Sequence, residues 1–252
     1  MMHGVGSYSG RYERGERDEV WRELRALGPR ALDDTHRADA EAVAHAMALR
    51  ARHNVEVLIS RLSEAGLDFR SNDDDRLSRP AHVLPTSDAS ALVDWMEQAF
   101  GPIPLTVAAW IREVGDVWLV GDHPDWPDSD LADPLVVEFE FSAYRGGGVR
   151  DHYRAEHESW LEADDDAEDF PFQIHFAPDD LHKANISGGA PYGIRVPDPA
   201  VDGRCVVLRR HFVDYLNEAF AAGGFPGGLL SEGYREPSPG LRESLAEDLL
   251  RL

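Results

Sequence analysis

The densest group of polar and reactive side chains lies in one short segment, residues 179–187, with the sequence DDLHKANIS. Its candidate binding residues are Asp179, Asp180, His182, Lys183 and Asn185. An imidazole can act as a general base and an ammonium can anchor an anion, so this segment is a candidate hydrolase or small-ligand site. A structural interpretation is preferred, in which Asp179 caps a single helical turn and Asn185 ends it in the left-handed conformation.

Other motifs that would carry chemistry are weak. His152 and Glu156 share one face of a predicted helix, but two candidate ligands are too few to define a metal site. The loop Asp122–Asp125 contains two carboxylates and an imidazole and is a weak metal candidate. The single Cys205 excludes a disulfide framework, and no Gly-x-Ser-x-Gly nucleophile motif is present. We therefore expect no catalytic residue, no bound metal and no cofactor.

The composition is strongly acidic. The 252 residues include 47 Asp and Glu against 25 Lys and Arg, which gives a formal net charge of −22 at pH 7. Such a charge repels phosphate backbones, which disfavours a nucleic-acid partner, and it speeds association with a basic protein. The acidic runs at residues 73–75 and 164–169 fit such an interface and fit a simply solvated surface equally well.

Hydrophobic periodicity places most helices before the strands. Apolar residues at helical spacing predict N-terminal helices over residues 11–27 and 39–65 and a later helix over 212–220. Apolar runs between residues 117 and 208 predict strands, separated by turns such as Gly146–Gly148. The fold class is therefore α+β rather than alternating βαβ units. We divide the chain into a helical N-terminal extension (1–70), an α+β domain (71–230) and a Pro/Gly-rich tail with a short terminal helix (231–252).

Two predicted strands make specific claims about burial. Residues 137–141, with the sequence VEFEF, alternate apolar and acidic side chains, which is typical of a half-exposed strand and places Glu138 towards solvent. The run Cys205–Leu208 is predicted as a further strand, with Cys205 as a small core residue.

The stretch 95–115, WMEQAFGPIPLTVAAWIREVG, carries a family resemblance. A helix, a Gly and Pro junction, a second helix with an aromatic residue and a Gly before the first strand resemble the opening of SUKH superfamily domains. Gly101, Pro104, Trp110 and Gly115 match that pattern, and the resemblance extends over roughly residues 88–228. The resemblance implies an α+β fold with a mixed or antiparallel central sheet backed by helices. It also implies a binding role, since many SUKH proteins are bacterial immunity proteins that neutralise secreted toxins and others are intracellular regulators. The chain departs from the family in its N-terminal extension and in an insertion around 142–170, so no partner-contact residue is carried over.

These observations give one expected function and one alternative. The chain has no signal peptide and no apolar run of membrane-spanning length, so we expect a cytoplasmic protein without a membrane partner. The expected function is a non-catalytic, protein-binding module, an immunity-type protein that neutralises a basic toxin. The alternative is a hydrolase or ligand-binding protein with its site around Asp179, His182, Lys183 and Asn185.

Overall fold

The computed structural model describes residues 6–141, 148–163, 171–227 and 234–252. Its helices precede, flank and follow the strands, which confirms the α+β class with a helical N-terminal region. The α-helices are α1 (Tyr8–Glu13), α2 (Arg17–Leu27), α3 (Arg37–Glu64), α4 (Ala89–Phe100), α5 (Leu105–Glu113), α6 (Val149–Glu162), α7 (Asp180–Lys183), α8 (Phe212–Ala221) and α9 (Leu241–Ala246). Short 3₁₀ helices cover Gly28–Leu32 and Asp130–Ala132.

The strands form small antiparallel sheets within the described residues. They are β1 (Asp68–Phe69), β2 (His82–Val83), β3 (Asp116–Trp118), β4 (Gly121–Asp122), β5 (Val136–Val137), β6 (Gln173–Ala177), β7 (Tyr192–Arg195), β8 (Arg204–Cys205) and β9 (Arg210–His211). The strand orders are β1-β4, β2-β3-β5 and β6-β7-β8-β9. The second and third sheets meet where the Glu138 N–H donates to the carbonyl of Phe176 at 2.8 Å.

One hydrophobic core joins the N-terminal helices to the rest of the described chain. Helix α3 packs along α5, and its buried residues Val55, Leu58 and Leu62 belong to the same cluster as Trp110 and Phe212. Burial of this apolar stripe, rather than local helix propensity, is the main stabilising contribution of a long helix. The helices of residues 8–64 therefore form part of the same packed body as the sheets.

The Gly and Pro junction around α5 is set by close packing. Gly101 ends α4 and Gly115 follows α5, with φ values of 89° and 88° that favour glycine. A Cβ on Gly115 would lie 2.2 Å from the Val83 carbonyl oxygen, so β2 can approach only a glycine here. Pro104 precedes the first residue of α5, and the buried Trp110 indole donates to the Gly115 carbonyl at 2.8 Å. These residues fix the turn from α5 into β3, with its backbone against β2.

Several predicted elements differ from the structure. The predicted helix over 11–27 is two helices, since Gly15 adopts a φ of 101° between α1 and α2. The predicted strand over 205–208 ends at Cys205, because the backbone turns back to place Arg210 opposite Cys205. Cys205 itself is buried, as expected of a core residue.

The prediction that Glu138 faces solvent is wrong. Strand β5 ends at Val137, and Glu138 is only 6% exposed. The reason is tertiary, because Glu138 forms an ion pair with Arg79 from a distant segment. The turn at Gly146 and Gly147 and the acidic run 164–169 lie outside the described residues.

Candidate functional site

The segment around α7 is a capped turn of helix, as its structural interpretation predicts. The Asp179 carboxylate accepts from the N–H groups of Leu181 and His182 at 2.9 and 3.0 Å. Asn185 follows the turn with a φ of 60°, in the left-handed region. A carboxylate at this cap satisfies N–H groups that no helical carbonyl reaches. Two of the candidate residues therefore shape the backbone.

Lys183 is enclosed in the protein interior. Its side chain is fully buried, and its Nζ lies 2.5 Å from Asp133 Oδ1. The Tyr192 ring lies 4.7 Å from the same ammonium, and its hydroxyl lies 3.3 Å from Asp133 Oδ2. This ion pair joins α7 to the 3₁₀ helix Asp130–Ala132, so the lysine is unable to anchor an anion from solvent.

The structure does not bring the predicted site residues into one concave site. His182 is about half exposed and places its Nδ1 2.5 Å from Asp179 Oδ2, whereas Lys183 points into the core. Asp180 and Asn185 are exposed on the surface. An imidazole and an ammonium that point in different directions cannot act on one bound molecule.

The same segment instead forms part of an exposed surface with the loop of residues 72–75. The Asn72 amide donates to the His182 carbonyl at 2.8 Å, and the Asn185 amide donates to Asp74 Oδ1 at 2.8 Å. Two backbone segments are thereby held side by side. Their outward residues, called the acidic surface below, are Asp73, Asp74, Asp75, Asp180, Leu181 and Ile186.

A cleft of about 320 Å³ opens beside the acidic surface. Asn72, Pro178 and Pro191 line it on the side of that surface. The rest of its lining includes the side chains of Arg79, Trp118, Glu138, His152, Glu156 and His175. This space is called the cleft below. These side chains come from the loop after β1, from β3, from the end of β5, from α6 and from β6.

One wall of the cleft is a paired cation and anion. The Arg79 guanidinium lies 3.8 Å from the centre of a Trp118 ring and forms an ion pair with Glu138. Burial raises the pKa of Glu138 to about 7, although the charge of Arg79 opposes that rise. The Arg79 Nε is buried and has no hydrogen-bond partner among the described residues.

Another part of the cleft lining centres on Glu156. Its Oε1 lies 3.3 Å from His175 Nδ1 and 3.6 Å from His152 Nε2, and its Oε2 is buried without a hydrogen-bond partner among the described residues. Burial by itself raises the pKa of Glu156, but the hydrogen bond from His175 and the charges of both imidazoles lower it below its ordinary value. The same three residues also line an adjoining cavity of about 570 Å³.

The metal candidates do not gain a coordination geometry. Within the described ranges, no group of three or more His, Cys, Asp or Glu side chains is arranged to hold a metal ion. In the loop Asp122–Asp125, Asp122 pairs with Arg70 and Arg76, and His123 Nδ1 accepts from the Asp125 N–H. The Asp122 carboxylate and the His123 Nδ1 are therefore already bonded to other protein groups.

Sequence reasoning found only part of the cleft. The spacing of His152 and Glu156 correctly places them on one helix face, where they lie 3.6 Å apart. It missed Arg79, Glu138 and His175, because each is isolated in the sequence. A charged residue at position 138 within an apolar run is the one available signal, and the alternating pattern predicts that it faces solvent.

Comparisons with known proteins return no relative. A scan against protein-family models finds no match, and searches of curated proteins and of solved structures also find none. The SUKH resemblance therefore stays a prediction from the motif. Among the helices of the described residues, none has the length and apolar character needed to cross a bilayer.

Proposed function

We propose that this chain is a non-catalytic binding protein whose acidic surface docks a basic protein partner. The resemblance to SUKH domains makes an immunity-type inhibitor of a basic toxin, met in the cytoplasm, the specific form of this proposal. The observation that carries it is that hydrogen bonds hold the loop 72–75 beside the segment 180–186. The two segments together display carboxylates and apolar side chains.

The charges of the acidic surface are available to a partner. Within the described residues, no ion pair joins Asp74, Asp75 or Asp180 to a cation. Arg76, the cation next to them in the sequence, pairs with Asp122 instead. Leu181 and Ile186, on the same segment as Asp180, are 37% and 46% exposed. Carboxylates around exposed apolar groups suit a basic protein, because the charges steer the encounter and the apolar groups are buried on binding.

The test compares the wild-type chain with a triple variant of the acidic surface, Asp74→Asn, Asp75→Asn and Asp180→Asn. Each immobilised protein captures partners from lysate of the native cell, and the bound proteins are identified after washes at 0.05 and 0.5 M salt. We expect one stoichiometric basic partner that the wild type releases at high salt and that the triple variant captures at least tenfold less. Added salt screens charges at an exposed interface, which explains both effects.

The matched control removes the same amount of charge elsewhere. Glu19, Asp34 and Glu97 are exposed and have no ion pair among the described residues, so Glu19→Gln, Asp34→Asn and Glu97→Gln form the control. Equal loss of the partner in both triple variants would show that net charge, not this surface, drives binding. A neutral partner retained at high salt would overturn the proposal.

A hydrolase or ligand site around Asp179, His182, Lys183 and Asn185 is the weaker alternative. It requires the imidazole and the ammonium to face one bound molecule, whereas Lys183 is enclosed with Asp133. We therefore assign these residues to the scaffold and rim of the acidic surface.

A further inference from the structure

We propose that the cleft beside the acidic surface is the binding pocket for one basic side chain, lysine or arginine, of the protein partner. The inference rests on the proposed function, because it names what the partner inserts. It adds a second contact that the exposed carboxylates do not provide.

Glu156, which lines the cleft, carries an acceptor oxygen that no donor in the described chain satisfies. Glu156 Oε2 is buried without a hydrogen-bond partner, and Glu156 Oε1 faces only the two imidazoles at 3.3 and 3.6 Å. A buried carboxylate oxygen without a donor carries a desolvation cost. A guanidinium or ammonium group would remove that cost and form a charge-assisted hydrogen bond.

The charges around the cleft favour a cation over an anion. Arg79 is already paired with Glu138, so that wall contributes little net charge when Glu138 is ionised. The remaining carboxylate of the cleft is Glu156, which has no arginine or lysine partner among the described residues.

The other cleft surfaces suit the rest of such a ligand. Phe141 and Phe176 line the cleft beside His175 and provide apolar and aromatic contacts for an aliphatic stem or a cationic group. The buried Arg79 Nε can donate to a carbonyl oxygen of the incoming chain. Asn72 belongs both to this cleft and to the loop that carries the acidic surface, so one partner can reach both.

The test uses small probes that need no knowledge of the partner. N-acetyl-arginine amide, N-acetyl-lysine amide and the neutral N-acetyl-citrulline amide are titrated into the full chain at pH 8 and followed by nuclear magnetic resonance. We expect the two cationic probes to bind with a dissociation constant of about 1 mM, as ligands of this size do, and to shift the Trp118 indole and His175 ring signals. The citrulline probe should bind at least about tenfold more weakly.

A pair of variants on one helix locates the site. Glu156→Gln removes the charge with little change in shape, and we expect it to weaken binding of the cationic probes about tenfold. Glu158→Gln removes an exposed carboxylate two residues away and should leave binding within twofold of the wild type. The comparison of cationic with neutral probes on the wild-type chain stands even when a variant folds poorly.

The two proposals fail separately. Equal binding of the citrulline and arginine probes, equal binding by the Glu156→Gln and Glu158→Gln variants, or binding that shifts signals far from the cleft would overturn this inference. Capture of the basic partner in the lysate test is decided by the acidic surface and stands without the cleft. Probe binding in the cleft combined with no captured partner would instead remove the proposed function.

Discussion

At the scale of single residues, Glu138 shows how tertiary contacts change a side chain's chemistry. Its carboxyl is almost fully buried beside Arg79, and burial raises its pKa to about 7. In the unfolded chain the same group titrates near 4.5. Between these two pH values the folded protein holds a proton that the unfolded chain releases. The contribution of Glu138 to the free energy of unfolding therefore falls as the pH rises from 4.5 to 7 and is constant above that.

The first prediction concerns Glu138→Gln, which stays neutral at every pH. Between pH 5 and pH 8, the free energy of unfolding of the variant should rise relative to that of the wild type by about 2–3 kcal/mol. Urea unfolding of both proteins at several pH values measures this difference. Glu158→Gln, an exposed change on α6, serves as the control and should show no such trend. A difference between Glu138→Gln and wild type that stays constant with pH would contradict the raised pKa.

Lys183 illustrates the limit of residue-level reasoning from sequence. It is the sole lysine and lies close to a histidine and two aspartates in the sequence. That neighbourhood makes it a candidate anion anchor. Its partner Asp133 lies fifty positions away, directly after the 3₁₀ helix Asp130–Ala132. Nothing in the local sequence indicates that pairing, whereas the Asp179 cap depends on neighbouring residues and was predicted correctly.

At the scale of elements, helices were predicted more accurately than strands for a physical reason. The stripe of Val55, Leu58 and Leu62 is local in sequence, and the predicted helix over 39–65 is observed as α3 (Arg37–Glu64). The strands are two to five residues long, and their burial depends on distant chain segments. The residues that line the cleft also come from separate segments of the chain. The sequence therefore predicts only one pair among them, His152 and Glu156, which lie four residues apart on α6.

The buried ion pair of Lys183 with Asp133 links α7 to the end of the 3₁₀ helix Asp130–Ala132, and this gives the next prediction. Lys183→Met leaves the Asp133 carboxylate in the interior without its cation. Removing one partner of a buried ion pair costs about 3–5 kcal/mol, so the free energy of unfolding should fall by that amount. Urea unfolding at pH 7 measures the change.

The double variant Lys183→Met with Asp133→Asn separates the lost pair from the stranded charge. Asparagine tolerates the φ of 52° at this position and still accepts a hydrogen bond from Tyr192. The double variant should therefore regain most of the free energy of unfolding that Lys183→Met loses. Similar stability for the single and double variants would show that the cost comes from side-chain packing rather than from the unpaired carboxylate.

At the scale of the whole molecule, the arrangement of charges matters as much as their number. Several arginines are partly or fully withdrawn into ion pairs, such as Arg70 with Asp122 and Asp130, and Arg25 with Asp202. Each such pair neutralises charge of both signs, so the net charge of −22 comes from carboxylates in excess of the cations. A large charge of one sign destabilises the compact state through self-repulsion and attracts basic partners.

The last prediction follows from this self-repulsion. Raising the NaCl concentration from 0.05 to 0.5 M at pH 8 shortens the Debye length and screens the repulsion, so the Tm should rise. An increase of about 1 kcal/mol in the free energy of unfolding corresponds to a rise in Tm of about 2–4 °C for a chain of this size. The control is the same salt series at pH 5, near the sequence pI of about 4.7, where the net charge is small and the rise should nearly vanish. A Tm that falls with salt at pH 8 would mean that the internal ion pairs outweigh the surface repulsion. A rise of equal size at both pH values would assign the effect to salting-out of apolar surface instead of to charge screening.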